Sequence, residues 1–323
     1  MARYQVLLTD YAWPELDIER ATLASADAEL IVAESTDAVS LARLAEGADA
    51  ILTNWARVPA TVLAAAKKCR IVARLGIGLD NIDVEFATRQ GMLVTNVPDY
   101  CLEEVTEHAL ALILGLGRKV AFYHQQTKAG HYDLSAGSPL RRLAGQTVGI
   151  VGFGNTGRRL AAKASAVGFR VIACTRRPET VTAPVEWSPL EQLLSRSDYV
   201  SLHLPSTNET RHLIGAPQLA LMRSTAYLIN TSRGALIDEQ ALAEALAAGR
   251  LAGAALDVQQ QEPPDLSRPP FNDPRVIVTP HAAFYSVESV TDLRRRASQQ
   301  VADALLGRTP QHVVNREAVD EKR

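Results

Sequence analysis

Short apolar runs alternate with longer amphipathic stretches along most of the chain. The first series of these runs predicts strands at Tyr4–Leu8, Leu30–Val32, Ala50–Leu52, Ile71–Arg74 and Leu93–Thr95. Helical segments such as Val39–Ala45 and Thr61–Ala66 separate the strands. Strands spaced by helices cannot pair as hairpins, so the pattern predicts βαβ units and a parallel sheet.

The alternation is interrupted once, by a long helical run at Glu103–Lys119 and a polar stretch at Ala121–Arg142. It restarts with a second series of strands, at Thr147–Val151, Arg170–Cys174, Tyr199–Leu202, Tyr227–Asn230, Gly253–Asp257 and Val276–Thr279. A helix is predicted from Glu288 to Leu306, followed by a solvated tail at 315–323. We therefore expect two α/β lobes, with residues 100–286 inserted between 1–99 and 287–323.

Composition narrows the class of protein. Apolar types make up 47% of the 323 residues and charged types 22%, which is typical of a globular protein. Lys and Arg (34) nearly balance Asp and Glu (36), so no basic surplus favours nucleic acid as a partner. The apolar stretches fall short of the roughly 20 residues of a membrane span. Three scattered cysteines predict neither disulfides nor a metal site and fit the cytoplasm.

A glycine-rich turn follows the first strand of the second series. Gly152, Gly154 and Gly157 form the pattern G-x-G-x-x-G between that strand and a predicted helix at Arg158–Ala166. The first glycine permits a tight turn, the second lets the backbone approach a pyrophosphate, and the third lets helix and strand pack closely. The helix N-terminus adds amide donors and a positive dipole. The turn predicts a dinucleotide site, with an ordinary loop as the alternative.

The next strand ends at Thr175, near the position where an NAD-selective site usually carries a carboxylate for the ribose 2′-hydroxyl. Arg176 and Arg177 follow directly. Two guanidinium groups without a repelling carboxylate suit a 2′-phosphate. These residues favour NADP(H) over NAD(H), unless both arginines are incidental charges on a solvated loop.

Three polar segments follow later strands of the second series, and they contain Arg233, Glu262 and His281. Loops at the carboxyl ends of parallel strands line the crevice where such sheets bind ligands. An imidazole next to a carboxylate can transfer a proton, and a guanidinium can hold a carboxylate substrate. Each residue alone has an ordinary structural explanation, but together they predict an acid–base site.

The order of these motifs resembles the D-isomer-specific 2-hydroxyacid dehydrogenase family. The resemblance covers nearly the whole chain, from Arg74–Asp83 through Gly152–Gly157 to Thr279–His281. It implies a Rossmann nucleotide-binding domain inserted into a flavodoxin-like substrate domain, with parallel sheets and the site between them. It also implies a homodimer built around the nucleotide domains.

The resemblance assigns roles to individual residues. It implies that Arg233 orients the substrate and that His281, paired with Glu262, is the general acid and base. It implies further nucleotide contacts by Asn155, Thr156, Leu204, Thr210 and Thr231, and by Asp257 toward the nicotinamide carboxamide. In the first lobe, it implies substrate binding by the loop of Arg74, Gly76, Ile77 and Gly78. Phe284 either contacts an apolar substrate tail or packs between the lobes.

We therefore expect an NADP(H)-preferring oxidoreductase that acts on a small 2-keto or (R)-2-hydroxy acid such as glyoxylate or hydroxypyruvate. D-3-phosphoglycerate dehydrogenase activity is an alternative, but Thr53 stands where that enzyme has a second arginine for the phosphate, although Arg57 could compensate. A second alternative is a dinucleotide-sensing binding protein with vestigial catalysis, because residues 281–286 are similar to the C-terminal binding protein corepressors.

Overall fold

The computed structural model describes residues 2–317. The chain divides into two compact units: unit 1 runs up to Tyr100 and resumes at Ser286, and unit 2 is Cys101–Tyr285. Part of the predicted tail, residues 318–323, lies outside the described residues. The prediction of a solvated tail is wrong at Asn315, which is buried and accepts a hydrogen bond from the Val94 amide.

The strands and helices follow the predicted alternation. The strands are β1 (Tyr4–Leu8), β2 (Ala28–Val32), β3 (Ala50–Thr53), β4 (Ile71–Arg74), β5 (Leu93–Thr95), β6 (Thr147–Val151), β7 (Arg170–Cys174), β8 (Glu186–Trp187), β9 (Tyr199–Leu202), β10 (Tyr227–Asn230), β11 (Gly253–Leu256) and β12 (Val276–Val278). The α-helices are α1 (Asp17–Ala24), α2 (Ala38–Ala45), α3 (Ala60–Ala65), α4 (Val84–Arg89), α5 (Leu102–Gly117), α6 (Val120–Lys128), α7 (Asn155–Ala166), α8 (Leu190–Arg196), α9 (Ala216–Leu221), α10 (Glu239–Ala247) and α11 (Val287–Leu305).

Unit 1 is built on a five-stranded parallel sheet with the order β2-β1-β3-β4-β5, which is flavodoxin-like. Alternate residues of each strand face opposite sides of the sheet. On β1, Val6 and Leu8 pack into the cluster that includes α1 and α11, whereas Leu7 packs toward α2 and α3. The C-terminal helix α11 thus completes the core of the unit that begins the chain.

Unit 2 is built on a seven-stranded parallel sheet with the order β12-β11-β10-β9-β6-β7-β8. Read from β8, this is the Rossmann order extended by one strand. All five residues of β6 are buried, as expected for a parallel strand covered by helices on both faces. The predicted α/β fold with a Rossmann domain and a flavodoxin-like domain is confirmed.

Two elements of unit 2 differ from the predicted pattern. The stretch predicted only to be polar, Ala121–Arg142, includes most of α6, none of whose residues is buried. The two-residue strand β8 was not predicted, and it pairs with β7 at the edge of the sheet. Both elements lack the buried apolar face that makes a helix or strand recognisable in a sequence.

Within residues 2–317, no helix combines the length and apolar character needed to cross a membrane. The three cysteines are free thiols.

Candidate active site

One row of residues across the sheet of unit 2 marks the edge where the candidate site lies. The parallel register joins Cys174, Val151, Leu202, Asn230, Leu256 and Val278, the last or next-to-last residues of their strands. The loops that leave this row carry both the glycine turn and the predicted acid–base residues. The carboxyl edge of one sheet thus brings these separate segments to the same side of the unit.

The three glycines of the turn differ in their surroundings. Gly152 has a left-handed φ of +98°, and a Cβ there would lie 2.2 Å from the carbonyl oxygen of His203. A Cβ at Gly157 would lie 2.1 Å from the carbonyl oxygen of Gly152, so helix and turn pack too closely for a side chain. A Cβ at Gly154 would meet no atom of the chain within 4 Å. Packing therefore explains the outer glycines, whereas the space at the middle one is open, and the close approach of a pyrophosphate there stays a prediction.

Helix α7 begins directly at this turn, with Gly154 as its N-cap. Asn155 is exposed and Thr156 half-buried in the first turn of the helix, where amide groups and the helix dipole favour an anion. The Arg158 guanidinium folds back onto this turn and donates to the carbonyl of Phe153 and to Asn155 Oδ1, each at 3.1 Å. Arg158 was not singled out from the sequence, although its place directly after Gly157 was a usable signal.

The loop after β7 carries the residues predicted to recognise the adenosine ribose. Arg176 and Arg177 are exposed, and the Thr175 hydroxyl accepts a hydrogen bond from the Arg177 amide. The Arg176 side chain is 91% exposed and lies 3.3 Å from one oxygen of Glu209, a carboxylate on the loop after β9. This exposed ion pair is weak and leaves both guanidinium groups available to a ligand anion.

The other predicted nucleotide contacts have distinct surroundings. Leu204 packs partly into the core next to the glycine turn. The Thr210 hydroxyl donates to the Pro205 carbonyl at 2.7 Å and so stabilises its own loop. Thr231 is buried, and its Oγ1 has no hydrogen-bond partner among the described residues. Such an orphaned hydroxyl fits a polar ligand atom, whereas nothing in the structure tests the predicted contact of Thr210.

Glu262 and His281 form a hydrogen-bonded pair at the centre of the candidate site. His281 Nδ1 lies 2.7 Å from Glu262 Oε2, and the two side chains are 29% and 35% exposed, with His281 the less exposed. Burial raises the pKa of Glu262, but the His281 hydrogen bond and charge, the Gln259 amide and the Arg233 charge outweigh it and hold that pKa below its usual value. The carboxylate is therefore ionised and accepts the Nδ1 proton.

His281 also adopts an uncommon backbone conformation, with φ at +52°. Left-handed residues other than glycine are infrequent and concentrate where the surrounding structure over-determines them, often at functional sites. The His281 amide donates to the carbonyl of Asp257 at 2.8 Å. The ring of His281 makes an edge contact with Phe284, with 6.0 Å between centroids.

The position of Arg233 follows from a close approach of two loops. A Cβ at the next residue, Gly234, would lie 2.0 Å from the carbonyl carbon of Gln259. The Asn230 side chain also donates to the Arg233 carbonyl at 2.8 Å. The loop that carries Arg233 is therefore fixed against the loop that carries Glu262, and the structure brings the three predicted catalytic residues into one charged cluster.

Asp257 is fully buried, and its carboxylate binds the loop of His281. Oδ1 accepts the Thr279 hydroxyl at 2.6 Å and the Ala282 amide at 2.9 Å, and Oδ2 accepts the Ala283 amide at 2.9 Å. The predicted contact with a nicotinamide carboxamide stays a prediction, while the observed bonds give Asp257 a structural task that the sequence did not reveal.

The predicted substrate loop lies in unit 1, after β4. Arg74 is only 9% exposed, and its guanidinium donates to Asn54 Oδ1 at 3.2 Å and to the Leu75 carbonyl. Ile77 is 38% exposed and Gly78 is half-buried. Gly76 has a φ of +153°, and the Arg74 guanidinium occupies the space where a Cβ of residue 76 would lie. Arg74 thus supports the loop from within, and substrate contact by this loop stays a prediction.

This chain is similar to known proteins in sequence and in structure. Residues 110–283 match the family profile described as the NAD binding domain of D-isomer specific 2-hydroxyacid dehydrogenases. A glyoxylate reductase from Korarchaeum cryptofilum is 40% identical over 273 residues, which are 81% of each chain. A hydroxypyruvate reductase from Thermotoga maritima is 36% identical over 294 residues, covering 90% of this chain and 94% of that one.

A solved structure extends the comparison to a protein with its ligands. The NADPH-dependent glyoxylate/hydroxypyruvate reductase from Sinorhizobium meliloti, in complex with NADP and malonate, superposes with a TM-score of 0.85 at 27% identity. The similarity covers 97% of this chain and 98% of that one.

Proposed function

This chain belongs to the D-isomer-specific 2-hydroxyacid dehydrogenase family, and we propose that it reduces a small 2-keto acid, glyoxylate or hydroxypyruvate, with NADPH to the 2-hydroxy acid, which has the (R) configuration where the product is chiral. The chain is an oxidoreductase with a nicotinamide cofactor. The proposal adds the substrate, the preference for NADPH and the residues that carry the reaction.

The Glu262–His281 pair is the observation that carries the proposal. The 2.7 Å contact puts an ionised carboxylate on Nδ1 of the imidazole. Both residues follow strands that end in the same row as β6, after which the glycine turn begins. A proton donor and a dinucleotide-binding turn at one sheet edge are what the reduction of a ketone requires.

The proton that reaches the substrate comes from Nε2 of His281. Because Glu262 is ionised, it only accepts, and Nδ1 must carry the hydrogen of their shared bond. The imidazolium then has a second N–H, on Nε2, which protonates the keto oxygen as the carbonyl carbon is reduced. The bound nicotinamide supplies the hydride. In the reverse direction, Nε2 of the neutral ring accepts the hydroxyl proton.

Arg233 orients the substrate. Its planar guanidinium can hold a carboxylate oxygen and the keto oxygen in one fork, and its charge stabilises the negative charge that develops on the keto oxygen. The same charge helps to keep Glu262 ionised. Phe284, packed on the His281 ring, limits the space available to the substrate tail.

The preference for NADPH rests on the loop after β7. Thr175 offers no carboxylate that would repel a 2′-phosphate, and the exposed Arg176 and Arg177 supply two cations. The S. meliloti reductase similar to this chain is NADPH-dependent. The buried Thr231 Oγ1 offers a polar contact to the dinucleotide. The open space at Gly154 allows the dinucleotide to approach the backbone closely.

Phosphoglycerate is the less favoured substrate, because Thr53 is fully buried and hydrogen-bonded to Thr9 and to the Ala56 carbonyl. It presents no cation to a phosphate. A purely dinucleotide-sensing protein is the other alternative, and the assembled Arg233, Glu262 and His281 cluster speaks against it.

A steady-state panel tests the proposal. Glyoxylate, hydroxypyruvate and 3-hydroxypyruvate phosphate would each be reduced with NADPH and with NADH, for the wild type and for His281→Ala. We expect the highest kcat/KM for an unphosphorylated keto acid with NADPH, and a loss of about a thousandfold in kcat on removing the proton donor. Equal turnover by the variant, or preference for the phosphorylated acid, would overturn the proposal.

We also propose that the protein is a homodimer joined through α6 and the segment after it. No residue of α6 is buried within the chain, and Tyr132 and Leu134 are 95% and 84% exposed. Light scattering on the purified protein tests this: we expect a dimer for the wild type and a monomer for the pair of changes Tyr132→Asp and Leu134→Asp. A monomeric wild type contradicts it.

A further inference from the structure

His108, on the second turn of α5, contacts the loop that leads from β12 to His281. Its Nε2 lies 3.1 Å from Thr279 Oγ1 and 3.6 Å from Asp257 Oδ1. The side chain is 25% exposed, whereas that of Asp257 is fully buried. His108 is the single polar residue in the run 108–114, which is otherwise alanine, leucine and isoleucine.

Counting protons fixes the direction of these bonds. The Thr279 hydroxyl has one proton, and the 2.6 Å contact shows that it goes to the carboxylate of Asp257. Thr279 Oγ1 must therefore act as the acceptor toward the ring, and His108 Nε2 must be the donor. The chain of hydrogen bonds thus runs from His108 through Thr279 to Asp257.

Asp257 connects these hydrogen bonds to the backbone of the loop that carries His281. Its carboxylate accepts the amides of Ala282 and Ala283, each at 2.9 Å, and its own carbonyl accepts the amide of His281 at 2.8 Å. These bonds enclose the left-handed residue His281, whose φ of +52° needs support from its surroundings. If the Asp257 carboxylate lost hydrogen-bond donors, the loop of His281 would be less rigid.

We propose that His108 is a positioning residue for the reaction: through Thr279 and Asp257 it holds the His281 loop in the conformation that aims Nε2 at the keto oxygen. This inference rests on the proposed function, since it assigns His281 the proton transfer. It gives a task to a histidine that lies in a different element from all three catalytic residues.

The activity test compares two replacements at one position. His108→Phe keeps the ring size but removes the donor, and we expect kcat for glyoxylate or hydroxypyruvate to fall about tenfold with the KM for NADPH unchanged. His108→Gln places an amide N–H near the former Nε2, and we expect it to restore kcat to within about threefold of the wild type. Gln192→Phe, at an exposed residue of α8, serves as the control and should not change kcat.

Thr279→Val tests whether the hydroxyl relays the effect. We expect this change to lower kcat about as much as His108→Phe, and the double variant to be no slower than either single one, because both break the same chain. Multiplying losses, or a failure of His108→Gln to restore kcat, would overturn the relay.

Hydrogen exchange separates this inference from the proposed function. In His108→Phe, the amides of His281, Ala282 and Ala283 should exchange about tenfold faster than in the wild type, while the amides of β6 keep their rates. That result is expected even if no keto acid is turned over, in which case only the proposed substrate class fails. Unchanged exchange at these three amides would overturn the inference, whatever the activity panel shows.

Discussion

The two parallel sheets of this protein use their carboxyl edges differently. At the edge of unit 1, polar side chains mainly bind one another and nearby backbone. Asp10 accepts the amides of Asn54 and Trp55, the Thr53 hydroxyl bonds to Thr9 and to a carbonyl, and Arg74 donates to Asn54. The result is a set of loops fixed from within.

At the edge of unit 2, the polar side chains keep part of their hydrogen-bonding capacity for a ligand. Of the two ring nitrogens of His281, only Nδ1 is bonded to Glu262, so Nε2 can bind the proposed substrate. Thr231 Oγ1 has no hydrogen-bond partner among residues 2–317. The supporting bonds are made by other residues, above all by Asp257. Under the proposed function, similar parallel edges become a platform or a reactive site according to where their hydrogen bonds end.

The largest effect should come from the reactive edge. In Arg233→Gln the fork and the charge are lost, and we expect kcat/KM for the keto acid to fall about a thousandfold with the melting temperature unchanged. Arg223→Gln is the matched control, since Arg223 pairs with Asp198 at the opposite edge of the same sheet. A loss in the control as large as in Arg233→Gln would show that charge alone, and not position at the carboxyl edge, matters.

Unit 1 should respond in stability and not in chemistry. Glu19 is fully buried and binds the Arg294 guanidinium of α11 through two 2.7 Å contacts. Glu19→Ala leaves that buried charge unpaired, so we expect the free energy of unfolding to drop by about 3–5 kcal/mol in urea titrations. Glu85→Ala, which breaks the exposed pair with Arg89, should cost less than about 1 kcal/mol. Equal costs would contradict the account of unit 1.

The cofactor loop should show a smaller and selective effect. We expect Arg176→Ala and Arg177→Ala each to lower kcat/KM with NADPH about tenfold while leaving the value with NADH unchanged, because only the 2′-phosphate loses its partner. Arg268→Ala, at an exposed arginine elsewhere in unit 2, is the control. A wild type that uses NADH as well as NADPH would remove the basis of this prediction.

The smallest effect concerns pH. His203 lies next to the glycine turn, with Nδ1 buried and Nε2 2.9 Å from Ser201 Oγ, and burial lowers its pKa to about 4. Between its ordinary pKa of about 6.5 and that value, the unfolded chain binds a proton that the folded chain does not, so stability falls as the pH drops through this window.

Because of His203, we expect the free energy of unfolding to be about 1 kcal/mol lower at pH 5.5 than at pH 7.5. His203→Gln should abolish this difference, and His131→Gln should not. Urea unfolding at the two pH values measures it. An identical loss in His203→Gln and the wild type would assign the acid sensitivity to other groups.

Much of the fold could be predicted because burial leaves its mark on the sequence. Strands such as β6 are buried on both faces and have continuous apolar sequences. Gly168, two residues after the predicted helix end at Ala166, has a φ of +100°, which is typical of a glycine that ends a helix. Helix α6 escaped prediction because its side chains lie outside the core, where helical periodicity has no apolar face to reveal it.

The site could be predicted in its residue types but not in its supporting bonds. The glycine pattern and the order of Arg233, Glu262 and His281 predict the chemistry proposed for the site. The partners of His108 and Arg74 lie 171 and 20 residues away along the chain, and only tertiary structure brings them together. The inward direction of Arg74 and the structural bonds of Asp257 and Thr210 were therefore beyond the sequence.

The most direct test of the reactive edge is a crystal structure with NADPH and oxamate, an unreactive analogue of a 2-keto acid. We predict that His281 Nε2 lies about 2.6–3.2 Å from the oxygen that replaces the keto oxygen, with Nδ1 still bonded to Glu262 and Arg233 on the carboxylate. An oxamate bound out of reach of Nε2, or an imidazole turned away from Glu262, would contradict the account.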